Sequence, residues 1–278
     1  MDISCKNNDA IPHHPIIAFP PILRHSQMMR IISSAVLLFY RDLQETVYLL
    51  LFHVFFLPWI SVPFWFRYVY FWNSPHDVAR KWMESKGIDI FSLEHSFTFG
   101  STPLKTWDLM IRRANIEKGD AVYDIGCGTG LACFFLARRL KSRIVGIDYN
   151  EDFITRADWI REKIKAHNPV FLHEDARSID FSDADVVYMF STTFTEELMA
   201  DISRRLRETL VYGATVISVT NPMEPSSAFQ VVNVFMGQYY FGNCTIYVHR
   251  YIQKEPLPIE EEQPQSSFSD ILIAKQQK

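Results

Sequence analysis

The sequence has little that would support a metal centre, a disulfide framework or a nucleic-acid surface. Its 278 residues include four cysteines, and their spacing matches neither a zinc site nor a disulfide-rich domain. Acidic residues outnumber basic residues, 32 to 28, so no overall basic field would attract nucleic acid. We therefore expect no bound metal, no nucleic-acid partner, and reduced thiols in a protein that faces the cytosol.

The chain also lacks charged residues over one long stretch. Residues 46–66 contain no Asp, Glu, Lys or Arg, and roughly 20 apolar residues suffice to cross a bilayer. Pro58 and Pro63 disfavour a straight helix, so a kinked span, a re-entrant hairpin and a buried helix of a soluble domain remain open. We predict a hydrophobic membrane segment over 29–72 that contacts the lipid bilayer. The aromatic residues at its far end are typical of membrane interfaces: Trp65, Tyr68, Tyr70 and Trp72.

The segments around this region have different compositions. Residues 1–28 are polar and rich in proline, without the layout of a secretory signal, and we predict a disordered arm. Residues 73–104 are interpreted as a connector and cofactor lid, with a short amphipathic helix from His76 to Lys86. Residues 254–278 carry an acidic run and few apolar residues, which predicts a disordered tail.

Residues 105–253 alternate between short apolar strands and amphipathic helices. This alternation predicts an α/β fold, a doubly wound and mostly parallel seven-stranded Rossmann-like sheet with helices on both faces. After Pro222 the pattern changes to two longer strands, 231–240 and 244–251, joined at Phe241-Gly242-Asn243. We predict that these two strands form an antiparallel hairpin at one edge of the sheet.

A run of glycines follows the first of these strands. Gly126-Cys127-Gly128-Thr129-Gly130 separates the strand from the next helix, and ligands of parallel sheets bind at such strand ends. A dinucleotide site favours glycine where this chain has Leu131, so the spacing weakens nicotinamide binding without excluding it. Asp148 ends the second strand and Asp175 follows the third, and a carboxylate at the end of the second strand accepts hydrogen bonds from ribose hydroxyls.

The run from Asp124 to Gly130 resembles motif I of the class I, seven-β-strand methyltransferases. The resemblance implies S-adenosylmethionine as the cofactor, with Asp124 orienting the glycine loop and the methionine amino group. It also implies that Asp148 holds the ribose and that Asp175 reads the adenine amino group. The cofactor-binding residues expected from the resemblance are Phe99, Thr102, Asp124, Gly126, Gly128, Gly130, Asp148, Tyr149, Asp175 and Ala176.

The methyl acceptor should bind after the fourth strand, where the chain reads Ser191-Thr192-Thr193-Phe194. This segment lacks Asn-Pro-Pro-Tyr, a Pro-Cys or Thr-Cys pair, and an aspartate. Those absences disfavour adenine or glutamine amide methylation, cytosine C5 methylation and a catechol-type magnesium site. The segment Thr192-Thr193-Phe194, together with Phe99-Gly100-Ser101-Thr102, resembles the corresponding segments of the non-SET lysine methyltransferases of the disruptor-of-telomeric-silencing family. That family's basic DNA-binding segment has no counterpart here, so a nucleosome is not the expected substrate.

We therefore expect a membrane-tethered methyltransferase that acts on a protein lysine, with its catalytic domain facing the cytoplasm. The expected catalytic residues are Thr192, Thr193 and Phe194. The two threonine hydroxyls would hold the acceptor, and the rings of Phe194 and Phe99 would pack along its alkyl chain. Thr193 would alternatively cap the following helix. Methylation of a small molecule or membrane lipid, and a catalytically idle cofactor-binding scaffold, also remain open.

Overall fold

The computed structural model describes residues 61–87, 99–223 and 228–252, which form an α/β fold around one seven-stranded sheet. The strand order is β3-β2-β1-β4-β5-β7-β6, where the first five strands are parallel and β6 and β7 form an antiparallel hairpin. The predicted mixed sheet with a final hairpin is therefore confirmed. The strands are β1 (Val122–Ile125), β2 (Ile144–Asp148), β3 (Val170–His173), β4 (Val186–Met189), β5 (Thr215–Val219), β6 (Phe229–Tyr239) and β7 (Gly242–Tyr251).

Helices cover both faces of the sheet. The described helices are α1 (Ser61–Val69), α2 (Pro75–Ser85), α3 (Leu104–Arg113), α4 (Leu131–Leu140), α5 (Glu151–Lys163) and α6 (Glu196–Thr209). Helices α3, α4 and α5 pack on one face through buried side chains such as Trp107, Phe134 and Ile160. Helix α6 packs on the opposite face through Ile202 and Leu206. Every residue of β1, β4 and β5 is buried, as expected for strands covered on both sides.

The hairpin turn is tighter than the sequence predicts. Tyr239 pairs directly with Gly242, so only Tyr240 and Phe241 form the turn. The predicted turn at Phe241-Gly242-Asn243 is wrong because β6 ends one residue earlier than predicted and β7 begins two residues earlier, at Gly242. The turn is held in place because the Thr106 hydroxyl at the start of α3 donates a hydrogen bond to the Gln238 carbonyl, 2.5 Å away.

Helix α2 lies in the predicted connector, close to the predicted His76–Lys86 helix. Its first turn is fixed by a capping box, in which the Ser74 hydroxyl accepts from the Asp77 N–H and the Asp77 carboxylate accepts from the Ser74 N–H, each at 3.2 Å. The apolar face of this helix is buried, and it includes Trp82. The capping box therefore fixes the orientation that brings Trp82 to the carboxyl end of the sheet.

The end of the predicted membrane segment belongs to the folded domain. Helix α1 has nine residues, and the Trp65 ring packs edge-on against Trp159 of α5 at 5.2 Å between centroids. Among the described residues, no helix has both the length and the apolar character needed to cross a bilayer. The rest of the predicted segment, residues 29–60, lies outside the described residues, as do the predicted arm (1–28), part of the lid (88–98) and the predicted tail (254–278).

Candidate active site

The site lies where the strand order reverses, at the carboxyl ends of β1 and β4. In open α/β sheets this reversal opens a crevice for ligands. A cavity of about 280 Å³ occupies it here, close to the lower end of the range for small-molecule sites. Its lining comes from the ends of β1 and β2, the loop after β3, the start of α6, and aromatic side chains of the predicted lid. The lining residues include Trp82, Phe99, Gly126, Gly128, Asp148, Tyr149, Phe153, Asp175, Ala176, Arg177, Phe190, Thr193, Phe194, Glu197 and Asp201.

The glycine loop needs its glycines for both conformation and space. Gly126, Gly128 and Gly130 all have positive φ angles, 76°, 52° and 73°, which other residues adopt at a cost. A Cβ on Gly128 would stand 3.0 Å from the Phe99 ring, and one on Gly130 would stand 2.5 Å from the Phe171 ring. The loop therefore turns between packed aromatic rings, and Gly126 leaves backbone open to the cavity.

Asp148 fastens the glycine loop to the second strand. Its carboxylate accepts a hydrogen bond from the Gly128 N–H at 2.7 Å and another from the Asn150 N–H at 2.8 Å. Burial raises the pKa of Asp148 to about 6, although the two backbone hydrogen bonds oppose that shift. Asp148 also lines the cavity, so the same carboxylate that holds the loop is available to a ligand's hydroxyl groups.

Asp175 lines the cavity as predicted, but it already has a strong partner. Arg177 Nε lies 3.0 Å from both carboxylate oxygens of Asp175, and Arg177 also reaches Asp201 on α6 at 3.4 Å. Burial raises the pKa of Asp175, but the hydrogen bonds and charge of Arg177 outweigh burial and leave that pKa below its ordinary value. Asp175 is therefore a carboxylate anchored by an arginine that the sequence reasoning did not identify.

Asp124 lies beneath the glycine loop, not in the cavity lining. Its side chain is buried, and the Cys133 thiol on α4 donates a hydrogen bond to the carboxylate at 3.5 Å. Burial raises the pKa of Asp124 to about 7, and the nearby charge of Asp148 adds to the shift. This position is compatible with support of the loop, whereas its predicted contact with the methionine amino group stays a prediction.

Aromatic side chains close the cavity on the connector side. Phe99 packs on Gly128, its ring lies 5.4 Å from that of Phe153, and the Trp82 ring lies 5.9 Å from that of Tyr149. Phe99 and Tyr149 were predicted from the sequence. Trp82 was not, because its approach depends on how α2 packs, which the local pattern does not encode.

The opposite wall comes from the segment after β4. Phe190, Thr193 and Phe194 line the cavity, and the Phe194 ring lies over Gly126, with its Cζ 3.8 Å from where a Cβ would stand. Thr192 is outside the lining, and its hydroxyl pairs instead with that of Thr220 at 2.8 Å.

The contacts predicted for Thr193 and Thr102 also differ from those in the structure. Helix α6 is capped by Thr195, whose hydroxyl accepts from the Leu198 N–H at 3.2 Å, so the alternative role of Thr193 as a cap is wrong. Residues Ser191–Thr193 form a short 3₁₀ turn, and α6 begins after it at Glu196. Thr102, predicted to contact the cofactor, is outside the cavity lining, and its hydroxyl bonds to the hydroxyl of buried Tyr188.

These features together define a class I methyltransferase domain with S-adenosylmethionine as its cofactor. The fold has the predicted mostly parallel sheet with a final antiparallel hairpin, the glycine loop lies at the switch point, and carboxylates lie at the end of β2 and after β3. Residues 124–228 match the family described as the ANTKMT methyltransferase domain. The matched range begins at the motif I aspartate and ends as β6 begins, so it covers the cofactor-binding strands and the acceptor-side segment.

The chain is also similar to curated methyltransferases with different acceptors. It is 27% identical over 150 residues to a protein-lysine N-methyltransferase of Saccharolobus islandicus, covering 53% of this chain and 89% of that protein. It is 25% identical over 152 residues to a sterol 24-C-methyltransferase of Saccharomyces cerevisiae, covering 53% of this chain and 36% of that protein. The chain thus spans about a third of the length of that sterol enzyme.

Solved structures to which the chain is similar include an RNA methyltransferase from Salinibacter ruber in complex with S-adenosyl-L-homocysteine. It is 25% identical, and the alignment covers 58% of this chain and 99% of that chain with a TM-score of 0.46.

Proposed function

We propose that the protein is an S-adenosylmethionine-dependent methyltransferase that methylates a lysine side chain of a protein. The observation that carries the proposal is the extent of its similarity to the lysine enzyme of Saccharolobus islandicus. That alignment covers 89% of the relative, whereas the match to the sterol enzyme of Saccharomyces cerevisiae covers 36%. A histone H3 lysine-79 methyltransferase of Dictyostelium discoideum is also 27% identical over 132 residues, which cover 42% of this chain and 7% of that protein.

The cavity residues fit the proposed cofactor. The exposed backbone at Gly126 admits a ligand in close contact, and the half-buried Asp148 carboxylate offers acceptors to ribose hydroxyls. When bound, the cofactor supplies an electrophilic methyl group on a sulfonium sulfur. The flat aromatic walls, Phe99 and Trp82, suit a ligand that carries an adenine ring.

The protein's contribution to methyl transfer is positioning and exclusion of water. The nitrogen lone pair of the acceptor forms the new N–C bond as the S–C bond breaks, and one N–H proton leaves to solvent. Orientation of two bound reactants can supply about 7–11 kcal/mol of barrier lowering. Phe190, Phe194 and Phe99 surround the expected transfer point with apolar rings, so they favour the neutral amine, which is the nucleophile.

We also propose that the protein works at a membrane, with its catalytic domain in the cytoplasm. Support comes from four exposed aromatic residues around α1, which we call the aromatic surface: Phe64, Tyr68, Phe71 and Trp72. Trp72 is 86% exposed and Phe71 is 70% exposed, unusual for side chains of this size. Arg67 lies beside them and suits anionic head groups. The uncharged stretch 46–66 runs directly into this surface.

Flotation with vesicles tests the membrane proposal. The full chain should float with vesicles that contain anionic lipid, and Phe71→Ser with Trp72→Ser should weaken flotation. Tyr212→Ser serves as the control, because Tyr212 is an exposed aromatic residue in the loop that precedes β5, away from α1 in the sequence. Equal flotation of the double variant and the Tyr212→Ser control would contradict a role of the aromatic surface in membrane binding. Protease digestion of sealed cell vesicles tests the orientation, since a cytoplasmic domain is cut only when its side of the membrane is accessible.

A small molecule or membrane lipid is the second candidate acceptor. It is favoured by the match to sterol 24-C-methyltransferases, including one of Eremothecium gossypii that is 33% identical over 87 residues, 30% of this chain and 23% of that protein. The same aromatic surface would bring the site close to a membrane-dissolved acceptor.

One labelling experiment separates these candidates. The full chain is incubated with methyl-tritiated S-adenosylmethionine and with membranes or soluble extract from cells that lack the protein, with Asp148→Asn as the inactive match. Wild-type-dependent tritium in methyl-lysine after acid hydrolysis supports the proposal. Tritium only in extracted lipid or small molecules would transfer support to the second candidate, and tritium in neither would favour a non-catalytic scaffold.

A further inference from the structure

A series of aromatic rings leads from the cavity to the protein surface. The Phe190 ring lines the cavity and stacks on Tyr239 at 5.1 Å between centroids with 17° between planes. Phe241, in the β6–β7 turn, lies 6.1 Å from Phe190 and 6.0 Å from Tyr239. Phe241 is 64% exposed, whereas Tyr239 is buried. The three rings therefore form one apolar wall that begins beside the transfer point and ends in solvent.

The wall is held at fixed positions from several directions. The backbone of Gly100 lies against Phe190 so closely that a Cβ there would stand 2.9 Å from the ring. The hairpin that carries Tyr239 and Phe241 is fastened by the hydrogen bond from Thr106 to the Gln238 carbonyl. Rings held in this way lose little freedom on binding a ligand, so the wall is preorganised.

The exposure of Phe241 is not explained by packing in the fold. A phenylalanine in a two-residue turn gains little from burial there, and turns commonly carry polar residues or glycine. Its ring instead extends the wall outward from Phe190. An apolar wall without formal charge suits an alkyl chain, and the faces of its rings attract an ammonium group at the end of that chain.

We propose that the rings of Phe190 and Phe241, backed by buried Tyr239, form the acceptor channel and hold the aliphatic stem of the lysine that is methylated. A lysine side chain is a flexible four-carbon stem that ends in an amine, so it can lie along such a wall with its nitrogen directed into the cavity. This assignment rests on the proposed lysine methyltransferase function, and it makes Phe241 a specificity-determining residue at the channel entrance.

Binding of a lysine probe tests the channel without any methyl transfer. The full chain is saturated with S-adenosylhomocysteine, which has no methyl group to donate, and titrated with Nα-acetyl-lysine methylamide by saturation-transfer NMR. Phe241→Ala should weaken binding of this probe by about tenfold, as expected for removal of an apolar contact in a binding pocket. Phe241→Leu should restore most of the binding. Tyr212→Ala is the matched control, since Tyr212 is 59% exposed but remote from the site.

The affinity for S-adenosylhomocysteine should be the same in all four proteins, which shows that the cavity is intact. Unchanged probe binding in Phe241→Ala would overturn the channel, and so would an equal loss in Tyr212→Ala. Phe241-dependent binding of phosphatidylethanolamine in micelles, with no binding of the lysine probe, would overturn lysine as the occupant. If the probe depends on Phe241 while the tritium experiment yields no methyl-lysine, the channel stands and the proposed function fails.

Discussion

Replacement of Asp148 by asparagine should weaken cofactor binding in a protein that still folds. The carboxylate accepts two backbone hydrogen bonds, 2.7 Å from the Gly128 N–H and 2.8 Å from the Asn150 N–H. An asparagine side chain has one carbonyl oxygen, so it can accept only one of them and presents an N–H to the other donor. It also removes the negative charge that faces the expected ribose hydroxyls.

The size of the effect follows from these contacts. A hydrogen bond to a charged group contributes about 1.5–3 kcal/mol. Loss of one such bond worth about 2 kcal/mol would weaken cofactor binding roughly 30-fold. Calorimetric titration of the full chain with S-adenosylmethionine measures this directly. The control is Asp158→Asn, which breaks a partly buried ion pair with Arg161 outside the cavity lining and should change the dissociation constant by less than about twofold. Equal dissociation constants for wild type and Asp148→Asn would refute the role assigned to Asp148.

The pH dependence of the same titration gives a second check. The pKa of Asp148 is raised to about 6, so the ionised form that accepts from ribose hydroxyls is complete only at higher pH. Cofactor affinity should therefore fall as pH drops through 6, by about tenfold between pH 7 and pH 5. Asp148→Asn should lack this dependence, and a parallel fall in both proteins would assign the titration to another group.

Three further substitutions have defined outcomes. Asp124 has its pKa raised to about 7 in the folded protein, so its contribution to stability is lost as pH rises from about 4 to 7. Asp124→Asn should therefore gain stability relative to wild type over that range, by about 4 kcal/mol in denaturant unfolding of the cofactor-free protein, and a constant difference would contradict the shift. Gly130→Ala combines a φ of 73° with a Cβ 2.5 Å from Phe171, so unfolding should occur at lower denaturant with a loss of about 2–4 kcal/mol; wild-type stability would mean the loop relaxes freely. Thr195→Ala removes the cap hydrogen bond to Leu198 and should cost about 1 kcal/mol in the same assay, with no change in cofactor affinity.

Much of the fold could be predicted because its signals are local. Short apolar strands that alternate with amphipathic helices specify a parallel sheet, and the glycine run from Gly126 to Gly130 marks its switch point. Asp148 and Asp175 were identifiable because they follow strands whose carboxyl ends lie on the same edge. The hairpin was predicted from the change in pattern after Pro222, but its turn was misplaced because strand pairing, not the glycine, decides where the ladder ends.

The rest of the site depends on contacts between distant segments. Trp82 reaches the cavity only because α2 packs over it, so it has no local signature. Arg177 lies two residues after Asp175 and pairs with it, but its second partner, Asp201 on α6, is distant in sequence. Thr192 was expected at the acceptor but bonds to Thr220, whose φ of 72° is unusual for a β-branched residue. Phe190 was overlooked because it reads as the last residue of an apolar strand.

The stretch that precedes the domain shows the limits of composition. Aromatic residues next to an uncharged run predict a membrane segment, but composition does not determine where such a segment ends. Trp65 packs on Trp159 of the folded domain, whereas Trp72 remains exposed. The same aromatic-rich stretch thus contributes both to the core and to the surface.

The central claim, methyl transfer to a protein lysine, is tested most directly in cells. Proteome-wide mass spectrometry is compared among cells that lack the protein, cells with the wild type restored, and cells with Asp148→Asn restored to the same level. At least one lysine methylation should return with the wild type and not with Asp148→Asn. Identical lysine methylation in all three, together with a methylated lipid or small molecule that only the wild type restores, would contradict it.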